Sequence, residues 1–212
     1  MRKDMRVGTR KTVGHRKSGI PAVRAATTKR LLSKVAMVTG AGGDIGRALC
    51  LHLAAEGAAV LCTDINGESA NRAAREVKAQ GGNAVAAICD VTVSAEAKKA
   101  IATAVHRFGG LHILVNNAAF FVADATLPEL DEALFARSFA VNVTGPFLMS
   151  RWAIPEIVRF GGGSIIHIAS QMAHVATRLQ ATYCATKGAV LLLAKGMALD
   201  HAKDGIRCRP EV

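Results

Sequence analysis

From Lys34 onward the chain alternates short, wholly apolar runs with longer stretches of helical periodicity. Residues 35–39, 58–63, 84–89, 111–116 and 164–169 read as strands, and 205–208 begins a sixth. A strand that is apolar on both faces has to be covered on both faces, which is the signature of a buried parallel sheet. Parallel neighbours need crossover connections, and right-handed crossovers through helices give a doubly wound α/β fold.

The helical stretches fall between the strands. One runs to about Glu56, and a second follows the turn at Asn66 and Gly67 and ends at Gly81 and Gly82. A third runs to Phe108 with Ser94 as its cap, and a long one covers about 131–160. Gly145, Pro146 and Pro155 are expected to bend the long one. A last helix covers about 182–203.

Charge divides the 212 residues into two parts. Eleven of the 27 Lys and Arg residues lie in the first 34 positions, against one acid there, Asp4. The rest of the chain is nearly neutral, so the net charge of +11 belongs to a leader. Residues 1–33 lack sustained apolar periodicity and contain Gly8, Gly14, Gly19 and Pro21, so a disordered leader is expected, followed by one domain over 34–212. Three readings of the leader stay open: an organelle transit segment, a nucleic-acid-binding arm, or an extension without function. The arm reading lacks an aromatic residue for base stacking, and no nucleic-acid partner is expected. No apolar run approaches the ~18–20 residues that cross a bilayer, so no membrane partner is expected either. The five cysteines, Cys50, Cys62, Cys89, Cys184 and Cys208, form no CxxC pair and read as reduced thiols, which points to a cytoplasmic location.

The first strand runs into Thr39-Gly40-Ala41-Gly42-Gly43-Asp44-Ile45-Gly46. Glycines between a strand and a helix let the backbone approach a pyrophosphate, and the helix N-terminus supplies free N–H donors and a favourable dipole. Gly40, Gly42, Asp44, Ile45 and Gly46 are therefore cofactor candidates in a Rossmann-type sheet. Asp64 ends the second strand about twenty residues on, where a carboxylate can accept both ribose hydroxyls of NAD and repel the extra phosphate of NADP. No Lys or Arg lies inside the turn, so NAD is expected over NADP. Asp64 alternatively serves only as a turn residue before Asn66.

Tyr183 and Lys187 stand four positions apart, on one face of a helix. A neighbouring ammonium favours the phenolate, so the pair can act as a general acid/base near neutral pH. Ser170, at the end of the fifth strand, can hold a substrate carbonyl or alkoxide oxygen. The bland alternative for Tyr183 and Lys187 is a surface helix pair. His112, His167 and His174 show no ligand spacing, and no metal is expected.

Together these residues resemble the short-chain dehydrogenase/reductase superfamily, from Leu32 to about Arg207. The Gly-rich turn resembles the TGxxxGxG motif, and Asp90 with Val91 resembles the acidic pair that contacts adenine. Asn116-Asn117-Ala118-Ala119 resembles NNAG, which adds Asn116 and Ala118 to the cofactor candidates. Asn142 matches a helix asparagine that positions a relay water. Ser170, thirteen residues before Tyr183, matches the catalytic serine, and Tyr183 with Lys187 matches YxxxK. The resemblance implies hydride exchange between NAD(H) and a secondary alcohol or ketone. In it Ser170 holds the substrate oxygen, Tyr183 passes the proton, Lys187 lowers the Tyr183 pKa and binds the nicotinamide ribose, and Asn142 connects Lys187 to solvent. It also implies a homodimer or homotetramer through the long helix and the Tyr183 helix.

The sequence departs from the family at three places. Asp44 stands where the family usually has glycine, and weakened cofactor affinity is expected if the position needs an unusual backbone angle. Ala119 replaces the last glycine of NNAG. After Arg207 the chain reads Cys208-Arg209-Pro210-Glu211-Val212, where the family continues through a complete sixth strand, a substrate loop, a helix and a seventh strand. A short sixth strand at an exposed edge is expected, and the alternative function is a truncated, non-catalytic dinucleotide-binding domain.

Overall fold

The computed structural model describes residues 29–122 and 125–212. Six strands form one all-parallel sheet: β1 (Val35–Thr39), β2 (Ala59–Asp64), β3 (Asn83–Ile88), β4 (Ile113–Asn116), β5 (Gly163–Ile168) and β6 (Ile206–Glu211). Their spatial order is β3-β2-β1-β4-β5-β6. The helices are α1 (Asp44–Ala55), α2 (Gly67–Ala79), α3 (Ser94–Phe108), α4 (Glu132–Phe139), α5 (Gly145–Arg159) and α6 (Ala181–Asp200).

The strand faces explain the two-sided core. Ala36, Val38, Val60 and Cys62 point to one face, where they meet Cys50 and Ala54 of α1 and Ala73, Ala74 and Val77 of α2. Met37, Leu61, Leu114 and Ile165 point to the other, against Ile101 and Ala104 of α3, Met149, Ala153 and Ile157 of α5 and Met197 of α6. Small residues on the inner helix faces let the helices lie close to the sheet, and alternate strand residues feed opposite layers. The doubly wound α/β architecture expected from the alternation of runs is therefore the observed one.

Several local readings change. Ser94 does not cap α3: Val93 takes that position, and the Ser94 Oγ accepts the Trp152 indole N–H at 3.1 Å instead. Asn66 does cap α2, its Oδ1 accepting the N–H groups of Glu68 and Ser69 at 3.0 Å each. The long helix is broken by a π-helical turn at Ala140–Thr144, not by its prolines. Pro146 sits in the first turn of α5, where its missing N–H costs nothing, and α5 continues through Pro155.

The sixth strand is longer than expected. It pairs with β5 over its whole length, from Ile206 opposite Gly163 to Glu211 opposite Ile168. Pro210 is tolerated because β6 is the edge, where one side of the strand needs no donor.

The leader boundary at residue 33 moves as well. Leu31 donates its N–H to the Glu56 carbonyl at 2.8 Å, and the Arg30 guanidinium grips the Glu56 carboxylate at 2.9 and 3.0 Å. Leu31 also packs against the α1–α2 side of the core. The rest of the basic stretch, 1–28, lies outside the described residues. Among the described residues no helix is long and apolar enough to cross a membrane.

Leu114 is fully buried in the central strand next to β1, whereas Leu32, just before β1, is exposed. Leu114→Ala should cost about 2–5 kcal/mol and Leu32→Ala less than about 0.5 kcal/mol. Urea midpoints of the two variants against the parent chain check this.

Candidate active site

The site forms where the chain leaves β1 and β4 in opposite directions. β1 continues into α1 on one face and β4 into the loop toward α4, so a crevice opens at the carboxyl ends of the two strands. Its floor is the Gly-rich turn. Gly40 has φ +62°, and a side chain there would meet the Ala118 Cα at 2.9 Å. A side chain on Gly46 would strike the Gly40 carbonyl. The turn thus needs glycine at 40 for its backbone angle and at 46 for close approach.

Asp44 is the first residue of α1 and lies outside the left-handed region, so the expectation of an unusual backbone angle there is not met. As an acid in the first turn it complements the helix dipole. The N-cap, Gly43, supplies no side chain to the first N–H groups of α1. Those donors face a groove of about 470 Å³ lined by Gly40, Gly43, Asp44, Ile45, Gly46, Asp64 and Ala118. A glycine floor with uncapped donors fits a bound pyrophosphate.

Asp64 lies at the tip of β2. Its Oδ2 accepts the Gly42 N–H and its Oδ1 the Asn66 N–H, both at 2.9 Å. It borders a second recess of about 180 Å³ shared with Ile65, Asp90, Val91, Ala118, Phe120 and Arg137. Asp90 shapes that recess by accepting the Thr92 N–H and hydroxyl at 2.9 and 2.7 Å. The structure therefore gathers Gly40, Asp44, Ile45, Gly46, Asp64, Asp90, Val91 and Ala118 along one continuous cleft.

Asn116 does not line that cleft. Its amide points into the core, where it meets Ser150 Oγ at 3.3 Å and His167 Nδ1 at 3.4 Å. Burial there pushes the His167 pKa down to about 4, so the ring is neutral. The next residue, Asn117, faces the cleft instead. Its Nδ2 donates to the Thr39 carbonyl at 2.9 Å and the Gly40 carbonyl at 3.1 Å. The Thr39 hydroxyl accepts the N–H groups of Asn117 and Ala118 at 3.0 Å each. Strand alternation could have found this: Asn116 shares the inward face of Leu114, and Asn117 lies past the strand end. A cation near the turn is also new, since Arg72 Nη2 donates to the Gly42 carbonyl at 3.3 Å.

Farther along the crevice, Tyr183 and Lys187 occupy the first turns of α6, and Ser170 follows β5. The Lys187 Nζ is buried, 5.6 Å from the centre of the Tyr183 ring, and donates to the Ile168 carbonyl at 2.6 Å. Burial lowers its pKa to about 8. The Ser170 Oγ accepts the Met172 N–H at 3.2 Å.

Asn142 sits in the π-helical turn and is buried. It accepts the Phe120 N–H at 2.7 Å and returns its own N–H to the Phe120 carbonyl at 2.9 Å. It also reaches the Thr186 hydroxyl at 3.2 Å, and that hydroxyl donates to the Tyr183 carbonyl at 2.9 Å. Lys187 thus ties α6 to the end of β5, two residues before Ser170, and Asn142 is linked to α6 through Thr186. A phenol beside a buried ammonium can transfer a proton to or from a substrate oxygen.

The sequence matches the family model described as short chain dehydrogenase over residues 34–209. It is 41% identical over 178 residues to 2,5-dichloro-2,5-cyclohexadiene-1,4-diol dehydrogenase LinX of Sphingobium indicum, covering 84% of this chain and 71% of that protein. It is 35% identical over 175 residues to cyclohexanol dehydrogenase of an Acinetobacter species, covering 82% and 70% of the two chains. It is also 35% identical over 179 residues to 7alpha-hydroxysteroid dehydrogenase of Escherichia coli, covering 84% and 69%. The family match runs from just before β1 into β6, and with these relatives the chain belongs to the short-chain dehydrogenase family, a family of oxidoreductases that use nicotinamide cofactors.

Proposed function

We propose that this chain is an NAD-dependent oxidoreductase exchanging hydride with a secondary alcohol or ketone, with Tyr183 as its general acid/base. The observation that carries the reading is the buried Lys187 ammonium beside the Tyr183 ring, at the end of a glycine-floored cleft. Named relatives act on a cyclic diol, cyclohexanol and a hydroxysteroid, all alcohols. Bound NAD would accept the hydride. Gly40, Ile45 and Gly46 line the groove where its pyrophosphate would lie against the donors of α1, with Asp44 beside them, while Gly42 lets the turn pack against Ser69 of α2. Asp64 takes the adenine ribose hydroxyls, Asp90 and Val91 border the adenine, and Asn117 and Ala118 form the wall opposite the turn, with Asn116 supporting it from the core.

Ser170 holds the substrate oxygen. Tyr183 takes the hydroxyl proton as the alcohol is oxidised and returns it when a ketone is reduced. Lys187, charged at neutral pH, favours the phenolate form of Tyr183 and reaches the nicotinamide ribose. Asn142 holds the Phe120 backbone and the first turns of α6 in register, and positions a water that connects Lys187 to solvent. The free, mostly buried cysteines support a cytoplasmic enzyme.

Fluorescence titration of NADH and NADPH tests the cofactor assignment. NADH should bind more tightly than NADPH. Asp64→Ala should erase the preference, because the Arg72 cation stays near the turn. Tyr183→Phe should keep NADH binding and lose about 10²–10⁴-fold in kcat. A Tyr183→Phe variant with unchanged turnover would sink the mechanism.

Lys187 predicts a pH effect. Its folded pKa, about 8, lies below its unfolded value of 10.5. Below pH 8 both states hold the proton, and the cost of burying the charge is fully present. Between pH 8 and 10.5 the unfolded chain binds more protons, so the folded state gains stability as pH rises. Lys187→Met should therefore be inactive yet more stable at pH 7, by on the order of 3 kcal/mol. That advantage should shrink to near zero by pH 10.5 in urea melts of both chains.

The outer faces of α4, α5 and α6 expose Phe135, Phe147, Leu192 and Leu199, which supports a homodimer or homotetramer. Light scattering should give a multiple of the 22.2 kDa chain mass, and Leu192→Glu should lower it. A monomer at all concentrations would remove this part of the proposal.

A further inference from the structure

A parallel sheet needs cover on both faces. Here α1 and α2 pack on β1, β2 and β3. The helices packed on β5 and β6 are α5 and α6, and both lie on the opposite face, with Ile165, Ile206 and Cys208. Among the described residues, the α1–α2 face of β4, β5 and β6 is left as an open groove of about 670 Å³.

The groove has an apolar floor and a basic rim. Leu31, Leu53, Ile113 and Ile166 line the floor. β5 is an interior strand, yet its Ile166 and Ile168 are only partly buried on this side. Arg207 and Arg209 stand on β6 opposite Ser164 and Ile166 and line the same groove, which Lys34 closes at the start of β1. None of these three cations has an ion pair among the described residues, whereas Arg30 beside them is taken by Glu56. Protection of an edge strand asks for charge on β6, but not for a row of partly buried isoleucines behind it.

We propose that this groove is the docking site for an amphipathic helix of another protein, apolar along one stripe and acidic on the flank that overhangs β6. Three strands are about 10 Å wide, the diameter of one helix. The six residues of β5 run about 20 Å, the length of about 13 helical residues. Aliphatic residues on the stripe cover Ile113 and Ile166, and carboxylates on the flank meet Arg207 and Arg209. Glu211 is the acid among the lining residues and lies at the carboxyl end of β6. It suits the positive N-terminal end of the helix, so the helix runs antiparallel to the strands. Residues 1–28 of the chain itself have the wrong sign for the groove, with eight Lys and Arg against one acid. The exposed leucines offered above for self-association, on α6, lie across the sheet.

Fluorescence anisotropy of a labelled synthetic helix of about 14 residues, with leucines on one stripe and glutamates on its flanks, tests this on the full chain. A twin peptide carries lysine for every glutamate. The glutamate peptide should bind saturably and roughly 10-fold or more tightly than its twin, because like charges at the rim oppose the twin. Serine in place of its leucines should abolish saturation on the parent chain. Arg207→Glu combined with Arg209→Glu should reverse the preference at an unchanged urea midpoint, since both side chains are exposed. Equal binding of the two peptides, or saturable binding without the leucines, overturns the proposal. A preference that the charge reversal leaves untouched puts the peptide elsewhere on the chain and overturns it too. Self-association in light scattering that the same double substitution abolishes also overturns it, since a second copy then covers the groove.

Discussion

The arrangement depends first on how β1 and β4 are held together at their tips. They are neighbours in the sheet, yet the chain leaves them in opposite directions, so nothing covalent keeps the gap at a fixed width. The Thr39 hydroxyl and the Asn117 amide do it. Thr39 accepts two backbone N–H groups from the β4 exit, and Asn117 donates to two carbonyls of the β1 exit. Four hydrogen bonds between segments almost eighty residues apart convert a divergence of two loops into a cleft of defined width. Gly40 and Gly46 then bring backbone against backbone, so that the floor is made of main chain and presents N–H donors instead of side chains.

Behind that floor, polar groups are buried at the strand tips at a cost that the apolar core offsets. Asn142 satisfies its burial by pairing with both backbone groups of Phe120, which fixes the loop after β4 to the start of α5. The π-helical turn lets this happen: widening one turn carries Asn142 inward between Phe120 and Thr186 without ending the helical run. Lys187 is the less satisfied case, with the Ile168 carbonyl as its hydrogen-bond acceptor and a depressed pKa. A group held at such cost at the end of a cleft is better explained by its chemistry than by its packing.

Much of the fold is legible in the sequence because strands that are apolar on both faces admit few arrangements. The first strand is found at 35–39 by its run of apolar residues alone, and the start of α2 by the Asn66–Gly67 turn. What stays hidden is non-local. The Ser94 hydroxyl is diverted from its helix by Trp152, fifty-eight positions away, and Arg72 meets Gly42 across thirty. The π-helical turn has no compositional sign, whereas Gly145 and Pro146 beside it advertise a break they do not make. β6 runs on because its alternation, Ile206, Cys208 and Pro210 on one face with Arg207 and Arg209 on the other, continues to the end of its register with β5. Residues 29–33 look like leader by charge, but Arg30 and Leu31 have a partner, Glu56 at the end of α1, that only the folded chain supplies. The site residues fall the same way: the Tyr183–Lys187 pair is visible as helical spacing, and the exchange of Asn116 for Asn117 at the cleft follows from where β4 stops.

The two ends of the cleft are built from different materials, and this separates what is fixed from what can vary. The nucleotide end consists of backbone, glycines and short polar side chains whose hydrogen bonds close on one another: Asp64 on Gly42 and Asn66, Asp90 on Thr92, Thr39 and Asn117 across the gap. A substitution there disturbs the strand tips themselves. The far end consists of exposed side chains on two loops whose backbones are pinned, by Asn142 at Phe120 and by the Ala125–Leu179 hydrogen bond, while the side chains themselves stay outside the buried network. Phe121 and Val175 can change without unpairing anything buried. A fold divided in this way keeps its cofactor chemistry constant while its substrate face changes with a few surface residues, which suits a family whose named members act on molecules as different as cyclohexanol and a steroid.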